Sequence, residues 1–394
     1  MEKLVFTDGD RFGVFDGEKT ELFDSEYVMR YRENAERVTK NDEWKYGGEG
    51  ARFRGDYQVY QARRQQPVVA YINGVEFDGE KVVYAFTADM SSGVYRKDVR
   101  DKKAREEHVF TSANEEIVTL CKGGRRYAVT VKREEATSSI ALLDPDTSEL
   151  KTLTDGDSRD ENPVFTNDGT RLLFDSSGVG RDAKGNFTGV YSPAAILSLD
   201  LNTMEIEEVV RDKKYAYVKP KIAQNGDLYC IKRPNGEKKS GNIFLDILLF
   251  PFRIIKAIFG FLQAFVMIFG QTSLTSSTAE GSRGRETDRN KLYVDGALIE
   301  ADKELKRNAK KKGKEYGFIP QSWKLVKRSG EKEEIVKSGV CDLALCRDGG
   351  AYCTDGKHIY YLKEGLVRKI ADTESCLHLS VERSQEFSET LFGF

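Results

Sequence analysis

Asp157-Ser-Arg-Asp-Glu-Asn-Pro-Val-Phe-Thr-Asn-Asp-Gly-Thr-Arg-Leu-Leu-Phe174 sets two short apolar runs on either side of an Asn-Asp-Gly turn. Asn and Asp bond their own backbone and Gly takes left-handed conformations freely, so the stretch reads as strand, turn, strand. Pro220-Lys-Ile-Ala-Gln-Asn-Gly-Asp-Leu-Tyr229 repeats it, with Pro six residues before Gly in both, and Leu343 to Gly349 keeps the spacing without the proline. Gly79 and Gly124 precede Val82-Val83-Tyr84 and Tyr127-Ala128-Val129 in the same way. A second hairpin also recurs without a gap. Ile140-Ala-Leu-Leu-Asp-Pro-Asp-Thr-Ser-Glu-Leu150 aligns with Ile196-Leu-Ser-Leu-Asp-Leu-Asn-Thr-Met-Glu-Ile206.

From Gly79 to Gly124, Gly169 and Gly226 the steps are 45, 45 and 57 residues. A period in the forties with four short strands per unit points to a β-propeller. The chain ends add a closure. Val5 to Phe12 resembles Tyr352 to Ile359, so the N-terminus reads as the last three strands of a unit, and Cys376-Leu-His-Leu-Ser-Val-Glu382 alternates as its missing first strand would. Pairing the termini leaves no open sheet edge. The expected fold is all-β, a six-bladed propeller with N/C-terminal blade closure and a helical hydrophobic insertion in blade five. Beyond the shared blade, the units fall near 48 to 112, 117 to 154, 160 to 211, 217 to 338 and 340 to 372. The propeller takes 1–233 and 321–383, the insertion 234–320, and a C-terminal tail 384–394.

The segment Asp157 to Phe174 resembles the repeat of TolB-like propellers, also found in propeller domains of the prolyl oligopeptidase class; such repeats are WD-repeat-like in build. The motif is matched in about one blade and the turn-and-strand pattern over most of the chain. Nothing corresponds to the TolB N-terminal domain. The Gly-x-Ser-x-Gly elbow of a peptidase domain is missing, so the resemblance carries no catalytic residue into this chain.

The insertion opens with an apolar stretch, 243–270. Placed on a helical wheel, Asp246, Arg253, Lys256, Gly260 and Gln263 share a sector of about 100°, and the remainder is mostly Phe, Ile, Leu and Val. Pro251 breaks or restarts that helix. Its length would cross a bilayer, but the strands on either side belong to one blade and no second apolar span returns the chain. Two readings stay open. Phe250, Phe252, Arg253, Lys256, Phe259, Phe261, Phe265 and Phe269 meet a membrane as a monotopic anchor, or they are buried against an oligomer mate, a partner or the propeller wall. Residues 271–290 are a Ser/Thr/Gly-rich linker. An Asp-Gly hairpin over Lys291 to Ile299 follows, then a helix from Ala301 to about Lys314, within 291–316. Between Lys303 and Lys314 it carries Lys303, Lys306, Arg307, Lys310, Lys311, Lys312 and Lys314 against Glu304 alone. Such a basic cluster beside an apolar segment attracts anionic lipid. Its bland reading is a solvated face.

Lys and Arg total 62 against 64 Asp and Glu, a formal charge of −2, which argues against a nucleic-acid binder held by bulk charge. No continuous apolar stretch near the N-terminus makes a secretory signal, so a cytoplasmic chain, peripheral on the inner face of the membrane, is expected. Cys121, Cys230, Cys341, Cys346, Cys353 and Cys376 include no Cys-x-x-Cys pair and read as reduced, structural thiols. His108, His358 and His378 lack ligand spacing, the acidic run Asp155 to Glu161 lacks a full calcium-loop pattern, and the glycines around Gly178 and Gly47 read as loops without a phosphate-binding Lys. No cofactor, metal site or catalytic residue is assigned. Functions of different classes remain: a non-enzymatic interaction propeller attached to a membrane surface, with protein partners unspecified; a soluble scaffold whose apolar helix is buried in an interface; or a hydrolase or lyase whose carboxylates converge at the axial mouth.

Overall fold

Gly79, Gly124, Gly169 and Gly226 all have φ between +60° and +84°, so the recurrent glycine marks the same left-handed corner in each hairpin. In the computed structural model the described residues are 1–46, 70–88, 91–132, 136–182, 185, 187–235, 291–295, 297–310 and 316–382. They are mostly strand.

Strands β1 (Leu4–Asp8), β2 (Arg11–Phe15) and β3 (Thr20–Asp24) form an antiparallel meander that leads into helix α1 (Glu26–Tyr46). A four-stranded meander follows in β4 (Ala70–Asp78), β5 (Lys81–Ala88), β6 (Ser91–Asp98) and β7 (Glu107–Ser112), and another in β8 (Glu116–Gly123), β9 (Arg126–Lys132), β10 (Ser138–Leu143) and β11 (Leu150–Thr152). The fourth sheet holds β12 (Ser158–Phe165), β13 (Arg171–Arg181), β14 (Phe187–Tyr191), β15 (Ala195–Asp200) and β16 (Ile206–Val210), with β14 paired to the far end of β13. A single parallel pair, Ser138 with Arg159, joins it to the third.

The fifth sheet begins with β17 (Tyr215–Ile222) and β18 (Leu228–Pro234). Its remaining strands come only after a separate hairpin, β19 (Lys291–Val294) and β20 (Ala297–Glu300), and helix α2 (Ala301–Ala309). They are β21 (Lys324–Ser329) and β22 (Lys332–Ser338), in the order β17-β18-β21-β22. The sixth sheet is β23 (Asp342–Leu345), β24 (Ala351–Thr354), β25 (His358–Lys363) and β26 (Leu366–Asp372). Finally β27 (Leu379–Val381) pairs antiparallel with β1, setting Leu4 opposite Val381 and Phe6 opposite Leu379. Both chain ends therefore share one sheet.

The first strand of each sheet packs on the first strand of the next: β4 on β8, β8 on β12, β12 on β17, β17 on β23, β23 on β27, and β27 on β4. Apolar layers fill the space between sheets. Phe165, Phe174 and Ile196 of the fourth sheet meet Tyr217, Cys230 and Val326 of the fifth in one buried cluster.

Three details differ from the sequence reading. Residues 26–46, to which the sequence reading assigns no element, form α1. Its interior is too polar to show an apolar face, and it is held by its start, where Ser25 Oγ accepts the Val28 N–H at 3.2 Å and the Glu106 carboxylate accepts those of Glu26 and Tyr27 at 2.9 and 3.1 Å. Gly178 and Gly180 are not loop glycines but lie in β13, where β14 comes close enough that a Cβ on Gly180 would collide with Thr188 and Val190. The terminal strand covers three residues of the seven expected. Among the described residues no helix is long and apolar enough to cross a membrane. The apolar stretch 243–270 and the linker 271–290 lie outside them.

Candidate functional site

Asn162-Pro163 and Lys219-Pro220 interrupt the first strands of two successive sheets. Proline steers the residue before it away from the helical region, and both Asn162 and Lys219 take φ +54°, with the strand register shifting around each. Such bulges turn a backbone N–H away from its ladder, and a buried N–H needs an acceptor. Asn162 N–H donates to Thr130 Oγ1 at 3.2 Å, and Lys219 N–H to Asp175 Oδ2 at 2.9 Å.

Around Asp175 the charged groups converge. Asn162 Nδ2 donates to Asp175 Oδ2 at 2.8 Å and reaches Asp295 Oδ1 at 3.3 Å. Asp295 is the turn residue of the inserted β19–β20 hairpin, at φ +46°. Arg233 fixes that turn by donating to the carbonyls of Val294 and Asp295, while its guanidinium lies 4.9 Å over the Trp323 ring. Lys219 Nζ donates to Leu377 O at 2.7 Å and lies 3.6 Å from Asp342 Oδ2 and 3.9 Å from Asp295 Oδ2. Arg159 grips Glu161 through two contacts of 2.7 and 2.5 Å. Among the described residues, Asp295 Oδ2 and His378 Nδ1 are buried side-chain atoms without a hydrogen-bond partner.

This environment shifts proton affinities in opposite senses. Burial, then the neighbouring Glu161 and Asp295, pushes the Asp175 carboxyl up to about 8. Burial opposes the Lys219 charge, but Asp295 and Asp342 outweigh it and hold the ammonium above its ordinary range. His378 is driven well down by burial and by Lys219 and Lys221, so it is neutral. Carboxylates from several sheets converge here. Most are committed within the protein: Glu161 to Arg159, Asp175 to Asn162 and Lys219, and Asp342 to Lys219 and the Leu379 N–H at 2.8 Å.

The inserted hairpin and α2 form an arm built on this cluster. Val294, Ile299 and Ala301 are buried with Phe318, Ile319 and Trp323, and Asn308 Nδ2 bonds the carbonyls of Gly317 and Ile319 at 2.9 and 3.1 Å. The opposite face of α2 is exposed and basic. Lys303, Lys306, Arg307 and Lys310 all face solvent, with Lys303 3.1 Å from Glu300 and Arg307 3.4 Å from Glu304. Lys311, Lys312 and Lys314 lie outside the described residues, as do Phe250, Phe252, Arg253, Lys256, Phe259, Phe261, Phe265 and Phe269.

The other sequence candidates have local roles. Within Asp155 to Glu161, Asp157 pairs with Arg181 at 2.5 Å and Asp160 accepts from Ser176 Oγ at 2.6 Å. His108 bonds Thr111 Oγ1 at 2.9 Å, and His358 Nδ1 faces Asp355 at 3.1 Å. All six cysteines are buried free thiols, and burial pushes Cys230 and Cys353 up to about 12, so neither offers a thiolate. Asp175, Asn162, Lys219 and Asp295 were missed as a group. One signal for Asp175 was present: it follows Gly169 by the interval at which Thr130 follows Gly124.

No family model matches the chain, and no curated protein is similar to it in sequence. The succession of four-stranded antiparallel meanders is propeller-like, and solved structures with related shapes were found. TolB from Acinetobacter baumannii has a TM-score of 0.47 at 9% identity, over 96% of this chain and 66% of that one. The tricorn protease has a TM-score of 0.40 at 12% identity, over 97% and 36%. A luciferin-regenerating enzyme has a TM-score of 0.38 at 6% identity, over 77% and 76%. The chain thus spans just under two thirds of the TolB chain and about a third of the tricorn protease chain.

Proposed function

We propose that the chain is a six-bladed interaction propeller, closed through its termini, that attaches to an anionic membrane surface by the arm inserted in its fifth blade. The unbroken succession of first-strand contacts and the pairing of β27 with β1 support the six-bladed, closed ring. One observation carries the attachment: α2 buries Ala301 and Asn308 against the propeller while Lys303, Lys306, Arg307 and Lys310 face outward together. A solvated Lys face on a free helix would be ordinary. Here the helix is held by packed side chains and by Asn308, so its cations are displayed in a fixed arrangement, which lowers the ordering cost of binding. Each cation near an anionic bilayer is worth about 1 kcal/mol, and the adjoining apolar 243–270 stretch supplies the second signal that stable anchoring needs.

The test is co-sedimentation of the full chain with vesicles of neutral phosphatidylcholine and with the same lipid carrying about a third phosphatidylserine. Binding to the anionic vesicles alone, weakened by salt and by Lys303→Glu with Lys306→Glu, supports the reading. Equal binding to both vesicles, or to neither, overturns it.

A further inference from the structure

We propose that the inserted arm is held by a proton-controlled latch: the Asn162 amide bridges the carboxyl groups of Asp175 and Asp295 and fixes the arm against the ring while Asp175 is protonated, and loss of that proton loosens it.

The geometry is that of two carboxyl groups on one donor. Asn162 Nδ2 serves both Asp175 Oδ2, at 2.8 Å, and Asp295 Oδ1, at 3.3 Å. Asp175 belongs to β13 of the ring, and Asp295 is the tip of the arm, so the amide spans the junction between them. A carboxylate at Asp295, placed this close in a buried site, disfavours ionisation of Asp175. The groups around the pair come from every element packed on it. Arg159 and Glu161 stand on β12, with Asp160 turned to Ser176; Lys219 and Lys221 stand on β17, Arg233 on β18, Asp342 on β23, and neutral His378 just before β27. With Asp175 protonated, the cations Arg159, Lys219 and Arg233 balance the carboxylates Glu161, Asp295 and Asp342. Removing the proton leaves one uncompensated negative charge in a buried site, and that is costly.

The sign follows from where Asp175 holds its proton. With the arm docked, its carboxyl is raised to about 8, by burial first and then by Glu161 and Asp295. Lifting the arm removes Asp295 and admits water, so the lifted state binds the proton less tightly. Opening therefore becomes easier as pH rises toward 8 and stops changing above it, where the docked state has no proton left to lose. Since α2 rides on the arm, the latch sets how firmly the basic face is displayed. Only that consequence rests on the surface-attachment reading, and arm opening is measured with no membrane present.

Backbone hydrogen exchange of the full chain, corrected for intrinsic rates, reads the latch directly. Between pH 6 and pH 8 the opening of amides 291–309 rises by about tenfold or more, as a shift of one pKa unit implies, and it levels off by pH 9, while β8 to β10 stay protected throughout. Asp175→Asn and, independently, Asp295→Asn flatten the profile. An opening constant in the wild-type chain that does not change with pH overturns the latch even if neither variant folds. So does an unaltered profile in a folded variant.

Discussion

Asn162 and Lys219 occupy the same place in successive sheets: each takes φ +54° immediately before a proline, and each donates its N–H to a side-chain oxygen on the second strand of the preceding sheet. The acceptor is Thr130 in one case and Asp175 in the other. Asp175 is thus a structural acceptor that happens to be ionisable. Asp175→Ala leaves the buried Lys219 N–H unpaired and lowers unfolding free energy by about 1–3 kcal/mol. Asp175→Thr, which copies the neighbouring sheet, restores an acceptor and recovers most of that loss in urea denaturation.

The pH dependence of stability carries two opposing signatures. Unfolded Asp175 releases its proton near about 4 and the folded group near 8, so in that window the folded state holds the extra proton and stability falls as pH rises. His378 is depressed when folded, so below about 6.5 the unfolded state gains a proton that the folded state refuses, and stability falls as pH falls. For these two groups the slopes oppose each other below about 6.5, leaving a decline of about 1 kcal/mol per pH unit from 6.5 to 8. In His378→Leu the decline attributable to Asp175 begins near pH 4, which denaturation midpoints across pH will show.

Terminal pairing is a second source of stability. Leu379 is fully buried opposite Phe6, and its N–H is held by Asp342. Leu379→Ala costs about 2–5 kcal/mol. Removal of 376–394 takes away the strand that covers β1 and abolishes a single cooperative melt, whereas removal of 384–394 leaves it intact.

Much of the fold was legible because its turns are chemically marked. Gly169 and Gly226 sit in left-handed corners that other residues occupy at a cost, and Asp144 and Asp200 each cap their turn by accepting two backbone N–H groups. The match of Val5–Phe12 to Tyr352–Ile359 placed the terminal closure for the same reason. Helix α1 escaped because its fixed start depends on Glu106, a carboxylate some eighty residues away in sequence. The charged cluster escaped for a related reason. Asn162, Asp175, Lys219 and Asp295 look like ordinary turn and strand residues, and only the stacking of one sheet on the next brings them together. The basic face of α2 was visible as composition, but which cations face outward depends on Asn308 turning inward.

Ser25 offers a contained check on α1. Ser25→Ala removes the side-chain cap at Val28 and its bond to Tyr84 at 2.8 Å, costing about 1 kcal/mol. Exchange protection falls in the first turn of α1 and is unchanged in β8 to β10.

Attachment through the arm is read by partitioning of the full chain onto phosphatidylserine-containing vesicles, compared with the charge-reversed Lys303→Glu, Lys306→Glu, Arg307→Glu, Lys310→Glu chain. These side chains are exposed and their ion pairs contribute little to stability, so the variant should fold and melt as the wild type does. The wild-type chain is expected to bind, added salt to weaken binding, and charge reversal to reduce it by at least tenfold. Wild-type binding that charge reversal leaves unchanged, or no wild-type binding at low salt, would contradict attachment through the arm.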